Sequence, residues 1–228
     1  MISFIIPAYN EEKYIKSCIS SIQIASRNYE YETIVVNDNS SDKTKEIALK
    51  NGAVVIDVNY RHIGKVRNAG ARSAKGNLLV FIDADTCILS TVLTEIVNNK
   101  NKYKAGCAFG KYYDLYSNKY CLFCMNLYTW VMKNLWRTGF GYFMWCNAKD
   151  FNKGFSEDLY IFEDKHFVRS FKSKEFYFGK QRVLTSGRKV RTHNFLNKLV
   201  PFFIKYCFKG KKLLKDKNEL DIWYDGVR

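Results

Sequence analysis

Apolar positions along the first hundred residues alternate between two periods. Residues 2–6 form a short apolar run of the kind expected for a strand buried on both faces. Tyr14, Ile15, Cys18, Ile19 and Ile22 then recur at helical spacing, with Asn10 as the candidate cap of that helix. Residues 33–36 predict a second strand. The polar run 37–42 predicts a turn in which a serine caps a short helix that Gly52 ends. A third strand is expected at 54–58, a helix at about 64–74 stopped by Gly76, and a fourth strand at 78–82. Strand and helix in this alternation imply parallel pairing through right-handed crossovers, hence an open α/β sheet.

In such sheets ligands bind beyond the carboxyl ends of the strands. The segments there are 7–11, 37–42, 59–67 and 83–86, and all four carry polar or charged side chains. The second half is less regular. It has aromatic-rich stretches at 121–136 and 139–145, then a helix beginning near Glu163, and it is expected to cover one edge of the sheet. No linker separates the halves. The organisation expected is one catalytic domain over 1–192, divided at about residue 90, followed by a tail over 193–228.

The candidate chemistry begins with Asp83-Ala84-Asp85, directly after the apolar run 78–82. Residues i and i+2 of a strand share a side, so both carboxylates can approach one hard cation. Mg²⁺ or Mn²⁺ would relieve their repulsion and in turn favour phosphate oxygens. The structural alternative is a turn whose aspartates cap the next helix. The sequence has no G-x-x-x-x-G-K-[ST] and no G-x-G-x-x-G after the first strand, which argues against a P-loop kinase and a nicotinamide dehydrogenase. With Glu11-Glu12 at its start, the first helix offers a poor phosphate site. A diphosphate would need a metal at Asp83 and Asp85 plus a cation such as Arg67 or Lys65.

Four segments in order carry a family resemblance: Ile5-Ile6-Pro7-Ala8-Tyr9-Asn10-Glu11-Glu12, Val35-Val36-Asn37-Asp38-Asn39-Ser40-Ser41-Asp42, Arg67-Asn68-Ala69-Gly70 with Ala74-Lys75-Gly76, and Phe81-Ile82-Asp83-Ala84-Asp85. They resemble the successive motifs of family 2 glycosyltransferases, densely over residues 1–90 and more patchily to about 192. The resemblance implies a nucleotide-sugar-dependent, inverting transferase of the A-type fold: an open, mostly parallel twisted sheet flanked by helices. Pro7, Ala8, Tyr9 and Glu11 match the loop bordering base and ribose, and Asp38 the aspartate that reads the base. Arg67 matches the basic residue near the diphosphate. Asp83 and Asp85 match the D-x-D that holds ribose and metal, here Mn²⁺ or Mg²⁺.

In that family the catalytic base follows a glycine-rich segment, in an acidic pair that starts a helix. Gly154-Phe155-Ser156-Glu157-Asp158 and Glu163-Asp164-Lys165-His166-Phe167 with Arg169 resemble this region. Asp164 is the expected base and Glu163 the runner-up; without the family, an acidic first turn complementing the helix dipole would explain both. His166 stands where the family usually has an acidic residue, and is a candidate acceptor contact. Gly139-Phe140-Gly141-Tyr142-Phe143 resembles a segment where backbone approaches acceptor and sugar. Tyr142 and Trp145 are either sugar-stacking or core aromatics. Arg188, in Thr185-Ser186-Gly187-Arg188-Lys189, is expected to reach the diphosphate. His193 is either a late metal ligand or a surface residue.

Charge is the one unusual number: 37 Lys+Arg against 22 Asp+Glu give +15, which biases the chain towards anionic partners. Residues 186–228 hold 11 basic and 4 acidic residues, +7 of that excess. Within them, 199–208 mixes aromatics with Lys205 and is flanked by lysines, a pattern suited either to a membrane interface or to a helix closing over the core. The expected partners are a UDP- or GDP-linked sugar as donor, a glycan or polyprenyl-linked acceptor, and a peripheral membrane contact through the tail. Nucleic acid ranks below these, because no RNA-recognition signature, zinc finger or KH-type loop occurs. A nucleotidyltransferase also ranks below, because the first loop is Pro-Ala-Tyr-Asn-Glu-Glu rather than glycine-rich and basic. Seven scattered cysteines without framework spacing fit a reducing cytosol, and Cys121-x-x-Cys124 fits core packing better than zinc. The expected location is cytoplasmic, since the first residues have no basic n-region and no segment is apolar enough to span a bilayer.

Overall fold

The computed structural model describes residues 1–114, 123, 130, 141–188 and 210–216. The first half is built as its pattern predicts. Strands β1 (Ile2–Ala8), β2 (Tyr31–Asp38), β3 (Val54–Val58) and β4 (Leu78–Ile82) alternate with helices α1 (Ile15–Ala25), α2 (Thr44–Lys50) and α3 (Ile63–Ser73). β1 and β4 are buried along their whole length, as continuous apolar runs require. Next come β5 (Thr86–Cys87), α4 (Ser90–Asn99), β6 (Ala105–Tyr112), β7 (Phe143–Asn147), α5 (Glu163–Arg169) and β8 (Phe176–Thr185).

One eight-stranded sheet joins them in the order β3-β2-β1-β4-β7-β6-β8-β5. The β3-β2-β1-β4 block is parallel. β7 then runs antiparallel to both β4 and β6, β6 and β8 are parallel, and β5 and β8 antiparallel. The second half therefore does not merely cover an edge. It supplies β6, β7 and β8, whose glycines and aromatics obscured any strand period.

The sheet has a core on each face, as an α/β layer structure must. On one, Phe4, Ile6, Val80, Ile82 and Trp145 meet Ile15, Ile19 and Ile22 of α1 and Val92 and Leu93 of α4. On the other, Ile5, Val36, Phe81 and Met144 meet Val66 of α3, Phe155, and Phe167 of α5. Gly70 lets α3 press against β1 and β2: a Cβ there would stand 2.4 Å from Ile5 Cγ2 and 2.9 Å from Val36 Cγ2. Trp145 is thereby a core aromatic, not a free stacking surface.

Three capping expectations differ from the structure. Asn10 does not cap α1. It adopts a left-handed backbone (φ 53°), and its Oδ1 accepts from Ser41 N at 2.8 Å, tying the first loop to the second. Glu11 and Glu12 lie before α1 rather than in its first turn, which holds no acidic residue. No serine caps α2; Asp42 accepts from Thr44 N at 3.0 Å. Gly52 does end α2, with φ 81°. Cys18, Cys107 and Cys146 are buried free thiols and Cys87 is half-buried, whereas Cys121, Cys124 and Cys207 lie outside the described residues. Among the described residues no helix is long and apolar enough to cross a membrane. The described part of the tail, Gly210–Lys215, buries Leu213 and Leu214, and Leu214 O accepts from Tyr160 N at 2.9 Å.

Candidate active site

The carboxyl ends of β1, β2 and β4 converge on one cluster of charges. β4 ends at Ile82, so residues 83–85 form a turn, closed by Thr86 N donating to Asp83 O at 3.0 Å. The strand rule that placed both carboxylates on one side no longer applies, and each meets a different arginine. Asp83 Oδ1 accepts from Arg67 Nη2 at 3.0 Å, while Asp85 Oδ2 lies 3.0 Å from Arg188 Nε.

Arg67 is the hub of this arrangement. Only 2% exposed, it donates from Nη1 to Glu163 Oε1 at 2.7 Å and from Nη2 to Gly141 O at 2.7 Å as well as to Asp83. Burial opposes its charge, but Asp83 and Glu163 outweigh that and hold it protonated. Expected from the family motif beside a diphosphate, Arg67 is engaged here by two protein carboxylates, Asp83 and Glu163. It is a buried cation joining β4 to α5. Gly141 sits so close that a Cβ there would lie 3.1 Å from Arg67 Nη2.

Arg188 forks across Glu11, with Nη2 2.6 Å from Oε1 and Nη1 2.9 Å from Oε2, and its guanidinium carbon lies 4.8 Å from the Tyr14 ring centre. Ser186 and Gly187, just after β8, are held by Asp114: Ser186 Oγ donates to Oδ2 at 2.6 Å and Gly187 N to Oδ1. Glu11 is 3% exposed and Asp85 12%. Pro7 and Ala8 are buried at the end of β1, and the Tyr9 ring lies under the Arg61 guanidinium, 3.4 Å from its centre. Asp38 Oδ1 accepts from Tyr60 N at 2.7 Å and Arg61 N at 3.1 Å, which fixes the turn (Arg61 φ 48°) that delivers Arg61 to Tyr9.

On the other side, Phe162 in a left-handed conformation (φ 62°) turns the chain into α5. The acidic pair then splits. Glu163 is buried on Arg67, while Asp164 stays partly exposed, its Oδ2 accepting from Gly141 N at 3.1 Å and its Oδ1 from Lys165 N at 2.7 Å. Burial first, then the Glu163 charge, pushes the Asp164 carboxyl up to about 7. His166, two residues further along α5, is exposed. Tyr142 spends its hydroxyl on Gly110 N at 2.7 Å. Gly139, Phe140 and His193 lie outside the described residues.

Asn68 had no role assigned from sequence, yet it holds the 153–158 loop. Its Oδ1 accepts from Phe155 N, and its Nδ2 donates to Phe155 O and Glu157 Oε1, each at 2.9 Å. Gly154, with φ 57°, would carry a Cβ 2.8 Å from Asn68 Oδ1. Its position beside Arg67 in the third motif was the available signal. Asp114 and Arg61 gave none.

The donor set fits a hard divalent cation. Asp83, with a side chain 35% exposed, and Asp85 offer carboxylate oxygens, and each already draws a cation to within 3.0 Å. Mg²⁺ and Mn²⁺ are commonly held by one or two carboxylates completed by substrate phosphates. No group of three or more His, Cys, Asp or Glu side chains among the described residues forms a complete protein cage.

The family model described as glycosyl transferase family 2 matches residues 3–122, just over half of the chain. Glycosyltransferase GlyA of Streptococcus pneumoniae is 31% identical over 117 residues, 49% of this chain and 17% of that protein. The poly(ribitol-phosphate) beta-N-acetylglucosaminyltransferase TarS of Staphylococcus aureus is 32% identical over 102 residues, 41% of this chain and 18% of that protein. The chain thus spans under a fifth of these two curated relatives. Among solved structures, S. aureus TarS 1–349 in complex with UDP-GlcNAc superposes with TM-score 0.63 at 21% identity, over 82% of this chain and 58% of that one. Glucosyl-3-phosphoglycerate synthase of Mycobacterium tuberculosis in complex with Mn²⁺ and UDP-glucose gives TM-score 0.57 at 17% identity, over 78% and 68%. These likenesses show the glycosyltransferase A-type fold. Together with the ordered motifs at the strand ends, the family-model match means that this chain belongs to glycosyl transferase family 2.

Proposed function

We propose that this glycosyltransferase is inverting: it moves a sugar from a metal-bound, UDP- or GDP-linked donor to an acceptor hydroxyl. One observation carries the reading. The buried cation Arg67 is joined at once to Asp83, at the end of β4, and to Glu163, beside Asp164. A carboxylate suited to a donor and a carboxylate suited to a base thus share one scaffold.

In this reading Tyr9, Asp38 and the Tyr60–Arg61 turn border the nucleoside, and Asp83 and Asp85 would hold Mn²⁺ or Mg²⁺. When bound, that ion would stabilise negative charge on the departing diphosphate. The chain's own part in the displacement belongs to Asp164. The acceptor oxygen attacks the anomeric carbon opposite the diphosphate, the bond to the diphosphate oxygen breaks, and the hydroxyl proton passes to the Asp164 carboxylate. The Gly141 and Lys165 N–H groups aim that carboxylate. Glu163, committed to Arg67, is a positioning residue. A UDP donor is supported by the relatives whose structures contain UDP-sugars.

Incubation with a panel of UDP- and GDP-sugars and Mn²⁺ tests the proposal. Hydrolysis or transfer is expected, falling about 10³-fold in Asp85→Ala and in Asp164→Asn. No turnover with any donor, or turnover unchanged in Asp85→Ala, would overturn it. We assign residues 1–192 to the catalytic unit and the cationic tail to a peripheral membrane contact serving a glycan or polyprenyl-linked acceptor. Flotation with anionic vesicles at low salt checks that assignment, which fails if the full chain stays in the soluble fraction.

A further inference from the structure

Arg188 stands where a cation for the D-x-D carboxylates would be drawn. Its fork engages both oxygens of Glu11, and its Nε engages Asp85 Oδ2 at 3.0 Å, so one guanidinium bridges the ends of β1 and β4. The bridge is built, not a chance surface pair. Glu11 is buried, Thr44 Oγ1 accepts from Glu11 N at 2.7 Å, the Tyr14 ring lies beside the guanidinium, and Asp114 holds the two residues before Arg188. A divalent ion ligated by Asp85 would stand about 2.1 Å from its carboxylate oxygen. It would then lie within about 5 Å of the Arg188 guanidinium, where two cations repel unless an anion comes between them.

We infer that Arg188 is a built-in counter-cation that keeps a divalent metal off Asp85 until a nucleoside diphosphate arrives. The diphosphate supplies the missing anion. Arg188 pairs with its oxygens, Asp85 is released from Nε, and metal and nucleotide enter together. The chain therefore binds metal as a diphosphate complex and takes up little free metal. This deepens the proposed donor site and rests on it.

The test measures Mn²⁺ binding by the full chain from the free-Mn²⁺ electron paramagnetic resonance signal, with and without UDP. In the unaltered protein UDP is expected to tighten Mn²⁺ binding at least tenfold. In Arg188→Gln, Glu11 and Asp85 lose their shared cation, so Mn²⁺ alone is expected to bind at least tenfold more tightly than in the unaltered protein, and the UDP dependence to shrink. Arg188→Lys keeps a charge but loses the fork, and serves if the glutamine variant fails to fold by circular dichroism; it is expected to fall between the two. Equal affinities for Mn²⁺ alone, within twofold, in the unaltered protein and the folded variant overturn the inference, as does the absence of Mn²⁺ binding in all of them. Melting shifts by UDP–Mn²⁺ separate the two readings. A chain with no such shift for UDP or GDP fails as a donor site altogether, whereas a normal shift with unchanged Mn²⁺ affinities defeats only the role given to Arg188.

Discussion

The two halves of the sheet reach the site by different routes. In β3-β2-β1-β4 each loop follows its strand and is fastened to the adjacent loop. Asn10 meets Ser41, Glu11 meets Thr44 and Asp38 meets Tyr60, at separations of 31, 33 and 22 residues. The charges of the second half are placed from much farther away. Arg67 reaches Gly141 and Glu163 over 74 and 96 residues, and Arg188 reaches Glu11 over 177. The first half is a cradle assembled from neighbours, whereas the second half brings its reactive groups in by long-range ion pairs. Loss of a long-range pair should therefore damage chemistry and assembly together, and changes within the cradle should be milder.

The largest expected effect is that of Asp164→Asn, which should lower turnover about 10³-fold while raising the melting temperature at pH 8 by about 2–4 °C. The signs are opposite because the folded state raises the Asp164 carboxyl above its ordinary value, so ionising it costs stability as pH rises towards 7. Loss of turnover with no gain in melting temperature would remove the strain assigned to this carboxylate. Arg67→Met leaves Asp83 and Glu163 without their partner, and breaking a buried pair costs about 3–5 kcal/mol. A fall of roughly 10 °C is expected in thermal melting, and a fall under 2 °C would show that the halves do not depend on it.

Effects then diminish. Turnover at saturating donor should rise with pH through about 7, because the base must be ionised to take a proton; a profile flat from 5.5 to 8.5 would argue against Asp164. Gly154→Ala strains a left-handed backbone and crowds Asn68, costing about 1–3 kcal/mol, with KM for the acceptor rising more than KM for the donor. Lys45→Ala removes the exposed pair with Asp57, and should shift stability by less than about 1 kcal/mol. A larger shift there would break the contrast between cradle and long-range pairs.

The same contrast explains what could be read from the residues alone. β4 falls at its expected position because a strand buried on both faces leaves a continuous apolar run, and β3, a half-exposed edge strand, falls at its expected position too. The end of β4 pointed to Asp83 and Asp85, whereas Asp38 came from the family motif alone. The local polar groups misled: Asn10 and Glu11 look like a cap and an acidic first turn, but their side chains serve Ser41 and Arg188. β6 was invisible because Gly106 and Gly110 interrupt its period, and both are needed. A Cβ at Gly106 would meet Trp145 Nε1 at 2.6 Å, and one at Gly110 would meet Thr185 Cγ2 at 2.7 Å. Glu163 and Asp164 could not be told apart by adjacency in sequence. Their difference is the direction each side chain takes as Phe162 turns the chain into α5.

β6 and β7 are hydrogen-bonded neighbours, with Ala105–Cys107 beside residues 144–146. The two ends of the connection between them, Tyr112 and Phe143, are fixed by the sheet whatever the length of chain in between. Doubling the length of such an excursion costs only about 0.6 kcal/mol in closure entropy. An engineer can therefore exchange residues 115–140 as a cassette, provided that Asp114, which holds the two residues before Arg188, and Gly141, which meets Arg67 and Asp164, are kept.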